Sequence, residues 1–257
     1  MSGSKDREKR REERIAAESK AASGDRRTRL LQFAAGGVFL AIIAVVVIIV
    51  VAGSGGSDSG GDAPNKEQKT EVDKLLEGIP QNATVLGKST APVTLYEYGD
   101  LQCPICKEYS EEILPEIIEE QVRNGEVKII YRDFIIISQE SIPAGEAALA
   151  AGEQGKGWSF IELFYRNQGE ERSGYVTDEF IEGIAEGAGV PDMKKFNEER
   201  KSGKFEKKVL ATTEQAENFG FTGTPSFAVE GPSSDGIELL NTPGSTEAIV
   251  ERIEQAS

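Results

Sequence analysis

The sequence contains no histidine. Its absence excludes Ser-His-Asp and Cys-His nucleophilic catalysis, His-ligated zinc and histidine-based pH sensing. Two cysteines are too few for a four-thiolate zinc site or for a disulfide framework. Methionine is equally scarce, with only Met1 and Met193, so no soft thioether cluster for copper is available. Positive charge is also confined. Ten Lys/Arg stand against six Asp/Glu in residues 1–29, and no Lys or Arg follows until Lys66. Residues 53–257 then hold 19 basic and 38 acidic side chains, which brings the whole chain to −15. Phosphate-backbone binding needs clustered Lys/Arg, so no nucleic-acid partner is expected.

What is present begins with one long apolar run. Phe33 to Ala52 is 20 residues without a polar side chain; as a helix it reaches about 30 Å, the thickness of a hydrocarbon core. It is too long for a cleaved signal peptide and has no polar face for a soluble helix. The basic flank lies on its N-terminal side, which sets residues 1–29 in the cytoplasm as a charged tail and everything beyond 52 outside. The expected organisation is therefore a tail (1–29), a transmembrane signal anchor (30–52), a flexible Gly/Ser and polar linker (53–83) and a globular domain (84–257). In the linker, GSGGSDSGGD (53–62) has five Gly and three Ser, the composition of a flexible coil.

Within the domain, Val93–Tyr98 and Val127–Phe134 are β-rich runs, and Cys103–Arg123 between them reads as a helix stopped by Asn124-Gly125. That is β-α-β with a connection long enough for a parallel pair. A helical block follows at about 139–219, its apolar residues at helical spacing. Trp158, Phe160, Phe164 and Tyr165 in this block read as core in preference to a substrate groove. Ser226–Glu230 and Gly236–Leu240 form a hairpin, and Ser245–Gln255 a last helix.

The sharpest motif is Cys103-Pro-Ile-Cys106. Cysteines at i and i+3 at a helix start can close a small disulfide ring, and the first sulfur then sits by the free N–H groups of the first turn, where a thiolate is favoured. Pro104 suits the first helical position, which needs no donor. Two buried small hydrophobes, a static disulfide or half of a metal site remain formal alternatives. A four-residue ring removes little chain entropy, which weakens the static one.

Taken in order, EYGDLQCPIC (97–106), ILPEI (113–117), YRDF (131–134), AGEAALAAGEQGKGW (144–158) and GTPSF (223–227) resemble the DsbA-like branch of the thioredoxin superfamily, over about 85–257. The resemblance implies an α/β fold of thioredoxin type, with a helical insertion between its β-α-β and β-β-α halves, here preceded by one transmembrane helix. It implies thiol–disulfide oxidoreductase activity. By the same likeness Cys103 is the exposed nucleophile and Cys106 the buried resolving cysteine. Pro225 is the cis-proline facing them, with the Thr224 backbone as an edge for an extended substrate. Glu97 matches an acid beneath the disulfide that carries the Cys106 proton. Strand alternation supports this independently, since Val93, Leu95 and Glu97 share a face, although a solvated strand end is the competing reading.

The chain departs from the strongly oxidising members by carrying Ile105 where they have His. With Asp100, Glu108, Glu111 and Glu112 nearby, the Cys103 pKa is expected to be depressed less than theirs. The expectation is a membrane-anchored, extracytoplasmic enzyme donating its disulfide to reduced exported proteins. A quinone-linked membrane oxidoreductase would reoxidise it, and no cofactor is expected because the cysteines carry the electrons. The alternatives are the same fold acting as a reductase or isomerase, and a thiolate copper chaperone.

Overall fold

The computed structural model describes residues 64–240 and 245–257. Helix α1 (Lys66–Leu76) leads into two short strands, β1 (Gln81–Asn82) and β2 (Val85–Leu86), and then into β3 (Val93–Gly99). The helical rod α2 follows. It starts as Pro104–Glu108, widens at Tyr109–Ile113, tightens over Leu114–Ile117 and widens again at Ile118–Val122. After β4 (Val127–Asp133) come five helices: α3 (Ser141–Gly152), α4 (Gly157–Arg166), α5 (Asp178–Gly187), α6 (Met193–Arg200) and α7 (Glu206–Asn218). The chain closes with β5 (Ser226–Glu230), β6 (Glu238–Leu240) and α8 (Thr246–Ala256). This is the β-α-β, helical block, β-β-α order expected from the sequence.

The six strands lie in the order β1-β2-β4-β3-β5-β6, and β3 and β4 form the parallel pair at the centre. The register runs from Val93 opposite Val127 to Gly99 opposite Asp133, with Glu97 opposite Tyr131. Strand β3 is covered on both faces and is buried at all but one position. Strand β4 alternates, with Val127, Ile129, Tyr131 and Asp133 turned inward. A strand with a parallel neighbour on one side and an antiparallel neighbour on the other has all its backbone groups paired, which holds β3 as a fixed base for the loop that follows it.

Local chemistry explains the shape of α2. Pro115 has no N–H to give to the carbonyl four residues back, so the turn before it opens into the wider π form. In α3 and α4, small residues allow close approach. A Cβ on Gly145 would lie 2.5 Å from Asp133 Oδ1, and one on Gly152 would lie 2.7 Å from the Ala83 carbonyl oxygen. The AGEAALAAG run therefore packs directly on the sheet edge. Trp158, Phe160, Phe164 and Tyr165 are all fully buried. They belong to the core, and the Trp158 indole N–H donates to the Thr84 carbonyl at 2.8 Å.

One boundary is corrected. The stretch 66–83, expected as linker, is ordered structure. Asn65 accepts from the Glu67 and Gln68 backbones while the Gln68 side chain accepts from Asn65 N–H, a capping box that starts α1. Val72, Leu75 and Leu76 then bury one face of this helix. Arg123 from the end of α2 donates to the Leu75 and Glu77 carbonyls at 2.9 and 2.6 Å. The apolar spacing at 72, 75, 76 and 79 lies within otherwise polar sequence, which is why composition hides it.

The apolar run expected to span a membrane, the tail 1–29 and the Gly/Ser stretch as far as residue 63 lie outside the described residues. Among the described residues no helix is long and apolar enough to cross a membrane.

Because α1 contributes core rather than tether, Leu76→Ala is expected to destabilise the domain by about 2–4 kcal/mol. Chemical denaturation of the full-length protein measures this; a solvated linker would show no change.

Candidate active site

The site forms where β3 ends. Gly99 leads into a tight loop from Asp100 to Gln102, and Cys103 caps α2 with an extended backbone while Pro104 takes the first helical position. The loop is fixed by side chains from several elements. Asp100 Oδ1 accepts from Gln102 N–H at 2.9 Å, and its Oδ2 accepts from the Ile136 and Ile137 N–H groups at 3.0 and 2.9 Å. The Gln102 amide donates to Ser138 and Ser141 hydroxyls at 2.8 and 3.0 Å and accepts from Arg172 N–H. The Gln168 amide donates to the carbonyls of Leu101 and Cys103 at 2.8 and 3.1 Å. Asp100 is thus a buried structural anchor with three backbone donors, unlike the free nearby charge expected of it. Glu108, Glu111 and Glu112 are exposed to solvent.

Both cysteines are present as thiols. Cys106 is fully buried. Cys103 is only 4% exposed, and Ile105 beside it is the open residue of the motif at 44%. The expected exposed nucleophile is therefore shielded: its sulfur lies 3.5 Å from the Thr224 carbonyl oxygen, to which it donates. Thr224-Pro225 is a cis peptide, immediately before β5. The Thr224 hydroxyl is buried without a partner among the described residues, so it is free to donate to the Cys103 sulfur once that sulfur ionises.

The two thiols titrate apart. The Cys106 side chain hydrogen-bonds to the Cys103 sulfur, and this outweighs burial. With Thr224 and the backbone N–H groups of Cys106 and Ile105 adding to it, the Cys103 thiol falls to about 6. Burial first, and then the Cys103 sulfur itself, push Cys106 well above the ordinary thiol range. The pair is polarised into a thiolate at Cys103 and a thiol at Cys106. That is the asymmetry thiol–disulfide exchange needs, with one sulfur to be attacked or to attack and one to be held in reserve.

Near Cys106 several polar side chains are fully buried. Glu97 is fully buried there, not at a solvated strand end, and neither of its oxygens has a hydrogen-bond partner among the described residues. Burial, and then the Glu162 carboxylate, raise it to about 8. Tyr131, opposite Glu97 in the register, meets Tyr165 of α4 hydroxyl to hydroxyl at 3.1 Å. The pair occupies the space above Gly99, where a Cβ would lie 2.9 Å from both the Tyr131 ring and the Tyr165 hydroxyl.

The structure brings all five expected site residues, Glu97, Cys103, Cys106, Thr224 and Pro225, to one end of the β3–β5 pair. It adds Glu162, Tyr131, Tyr165, Gln168, Asp100 and Gln102. Glu162 carried a sequence signal, since it is the lone carboxylate inside the apolar run WSFIELFY. Gln168 carried none. Among the described residues no three Cys, Asp or Glu side chains come together as a metal site.

A twisted sheet centred on a parallel pair, with a Cys-x-x-Cys helix start facing a cis-proline, defines a thioredoxin-type redox protein. The chain matches the Thioredoxin family over residues 81–251 and belongs to it. It is similar to the probable disulfide bond formation protein D of Bacillus cereus, at 30% identity over 57% of this chain and 69% of the relative. Among solved structures it resembles oxidised BdbD from Bacillus subtilis, with a TM-score of 0.60 and 21% identity over 78% of this chain and 98% of that one. It also resembles alpha-DsbA1 of Wolbachia pipientis, with a TM-score of 0.58 and 19% identity over 70% and 92% of the two chains. Within the family it is a DsbA-like thiol–disulfide oxidoreductase.

Two outcomes follow. Alkylation of reduced Cys103 by iodoacetamide should rise with pH through a midpoint near 6, read by mass spectrometry; a midpoint in the ordinary thiol range would remove the polarised pair. The second concerns Glu97. The unfolded chain loses this proton in the ordinary carboxylate range and the folded chain only near 8, so folding stability falls as pH rises across that interval. Glu97→Gln should therefore gain on the order of a few kcal/mol over wild type at pH about 9 and nothing at pH about 4. Denaturant midpoints at both pH values test it.

Proposed function

We propose that this oxidoreductase is a membrane-tethered disulfide donor working outside the cytoplasm on reduced, newly exported proteins. The observation that carries the reading is the depressed Cys103 thiol at about 6 beside a fully buried Cys106. Stabilising the thiolate of the dithiol form makes the disulfide the more reactive, electron-accepting state. The similarity to disulfide bond formation proteins supports the same direction.

In this reading a substrate thiolate attacks Cys103 and the S–S electron pair leaves on Cys106. The Thr224 backbone beside Pro225 offers a short edge along which an extended substrate segment aligns. Glu97 supplies the proton that Cys106 takes up. A second substrate thiol then attacks the mixed disulfide, releases oxidised substrate and leaves Cys103 as a thiolate. The electrons rest on the two cysteines, with no cofactor, until a quinone-linked membrane oxidoreductase removes them. The apolar run 33–52 and the basic flank before it support a signal anchor that would bring donor and reoxidising partner into one membrane plane.

Ile105 favours a second reading, the same site running as a reductase. No imidazole stands beside Cys103, and a value of about 6 lies between the roughly 3.5 of a strong oxidant and the roughly 7 of thioredoxin. The reduction potential separates the two. Equilibration of the full-length protein in glutathione buffers, with alkylation to count thiols, should give a value nearer about −120 mV than −270 mV. A value near about −270 mV would make reduction the function. In parallel, Cys106→Ser should trap a mixed disulfide with a disulfide-bonded peptide, the Cys103 thiolate displacing one peptide thiol, whereas Cys103→Ser should trap none.

A further inference from the structure

Glu162 has no part in the exchange chemistry above, yet it is as buried as Glu97. It projects from α4 of the helical insertion, one oxygen accepting from Ser110 in the first wide turn of α2 and pairing with Arg166 one turn along its own helix. Its other oxygen has no partner among the described residues. Three of the four carboxylate oxygens of Glu97 and Glu162 are therefore buried and unbonded. The Tyr131–Tyr165 pair links the two sides of this cluster: Tyr131 stands opposite Glu97 in the sheet, and Tyr165 is three residues from Glu162 on the same helix.

Charge balance decides the state of this cluster. A buried carboxylate is tolerated only when compensated, and one guanidinium compensates one carboxylate. Arg166 on α4 bonds Glu162 directly, and the other titratable groups whose charge is felt at one or other acid are Glu111 and Cys106 on α2, Tyr131 on β4 and Tyr165 on α4. Arg166 is the cation among them, so two carboxyls and one cation balance when a single proton is bound. Arg166, bonded directly to Glu162, also reaches the surface, at 10% side-chain exposure. Its backbone is held from the other side by the Gln68 amide of α1.

We propose that Glu97 and Glu162 form one unit holding a single proton, and that the Glu162–Arg166 edge is where this proton exchanges with solvent. The proposal rests on the reading of Glu97 as the acid that serves Cys106, and assigns Glu162 and Arg166 as the positioning residues that set its proton affinity, the carboxylate raising it and the guanidinium lowering it. When Cys106 leaves as a thiolate, the electron pair of the broken S–S bond is already on its sulfur. The Glu97 carboxylic acid gives that sulfur its proton and becomes a carboxylate. A proton from solvent enters by way of Glu162 and restores the pair to one proton. On reoxidation the same path runs backward.

The test is an infrared titration of the buried carboxylic acid in the disulfide form of the full-length protein, between about pH 6 and 10, where surface carboxylates are already ionised. Glu162→Gln removes the like charge that raises Glu97, so the acid should ionise at least about one pH unit lower than in wild type, a tenfold change in proton affinity. Arg166→Gln removes the compensating cation, so the last proton should be held about one unit higher. The pH profile of Cys106 release on mixing with a reduced peptide should move in the same opposite directions. General structural damage does not produce opposite shifts. Both variants titrating with wild type, or both moving the same way, would overturn the proposal. Should Arg166→Gln fail to fold, Arg166→Lys keeps the charge and should titrate as wild type, and the Glu162→Gln shift still decides. A wild-type protein without Cys103-dependent exchange would instead remove the functional reading beneath it.

Discussion

A disulfide that opens inside a protein leaves a sulfur anion out of reach of water, and the residues around Cys106 answer that constraint. Burial opposes the charge and raises the Cys106 thiol, so the bond can break only if a proton is waiting. The acids beneath it are where such a proton can wait. A buried carboxyl without a paired cation is costly when ionised, and for that reason Glu97 stays protonated at neutral pH while Glu162 pairs with Arg166. What is a defect in a purely structural core becomes a reservoir when a nearby sulfur needs it. The unbonded oxygens of Glu97 and Glu162 fit that account better than they fit any packing role.

The same constraint explains why the two sulfurs are treated so differently. Cys103 sits where α2 begins, among free N–H groups and beside the Thr224 hydroxyl, and each of these favours its anion. Cys106 sits one turn in, with the sheet beneath it. One helix start thus supplies both environments: Cys103 is the cap residue beside the free N–H groups, and Cys106 lies within the first turn on the same face, over the core. Ile105 lies between them on the outside and adds apolar surface without charge, so thiolate stabilisation is left to the Cys106 side chain, Thr224 and the backbone.

Much of this was legible in the sequence because it rests on local rules. The strand-loop-helix setting of Cys103 and Cys106, the parallel pairing of Val93–Gly99 with Val127–Asp133, and the core character of Trp158 through Tyr165 follow from periodicity and helix-start chemistry. Alternation put Glu97 on the face of Val93 and Leu95 but left a solvated strand end open, which its full burial decides. Two things escaped. The helix at Lys66–Leu76 was hidden because its three buried residues stand among lysines and glutamates in a polar tract that continues a Gly/Ser run, and composition outweighed spacing. The buried status of Cys103 was hidden because its cover is the Thr224–Pro225 segment, 121 residues later in the chain. No local pattern reports a contact of that length.

The helical insertion carries more of the site than its position between the two halves of the fold suggests. Ser141, Glu162, Tyr165, Gln168 and the Arg172 backbone all come from it or from its connections, and each reaches the loop around Cys103 or the polar cluster near Cys106. The β-α-β half alone would present two cysteines at a helix start with an unsupported loop. The insertion supplies the Gln168 amide that fixes the loop carbonyls and the Arg166 guanidinium that pairs with Glu162. Its small-residue face on α3 exists to let it lie close enough to do so. The redox pair therefore belongs to the thioredoxin half, while its geometry and its proton balance belong to the helices folded over it.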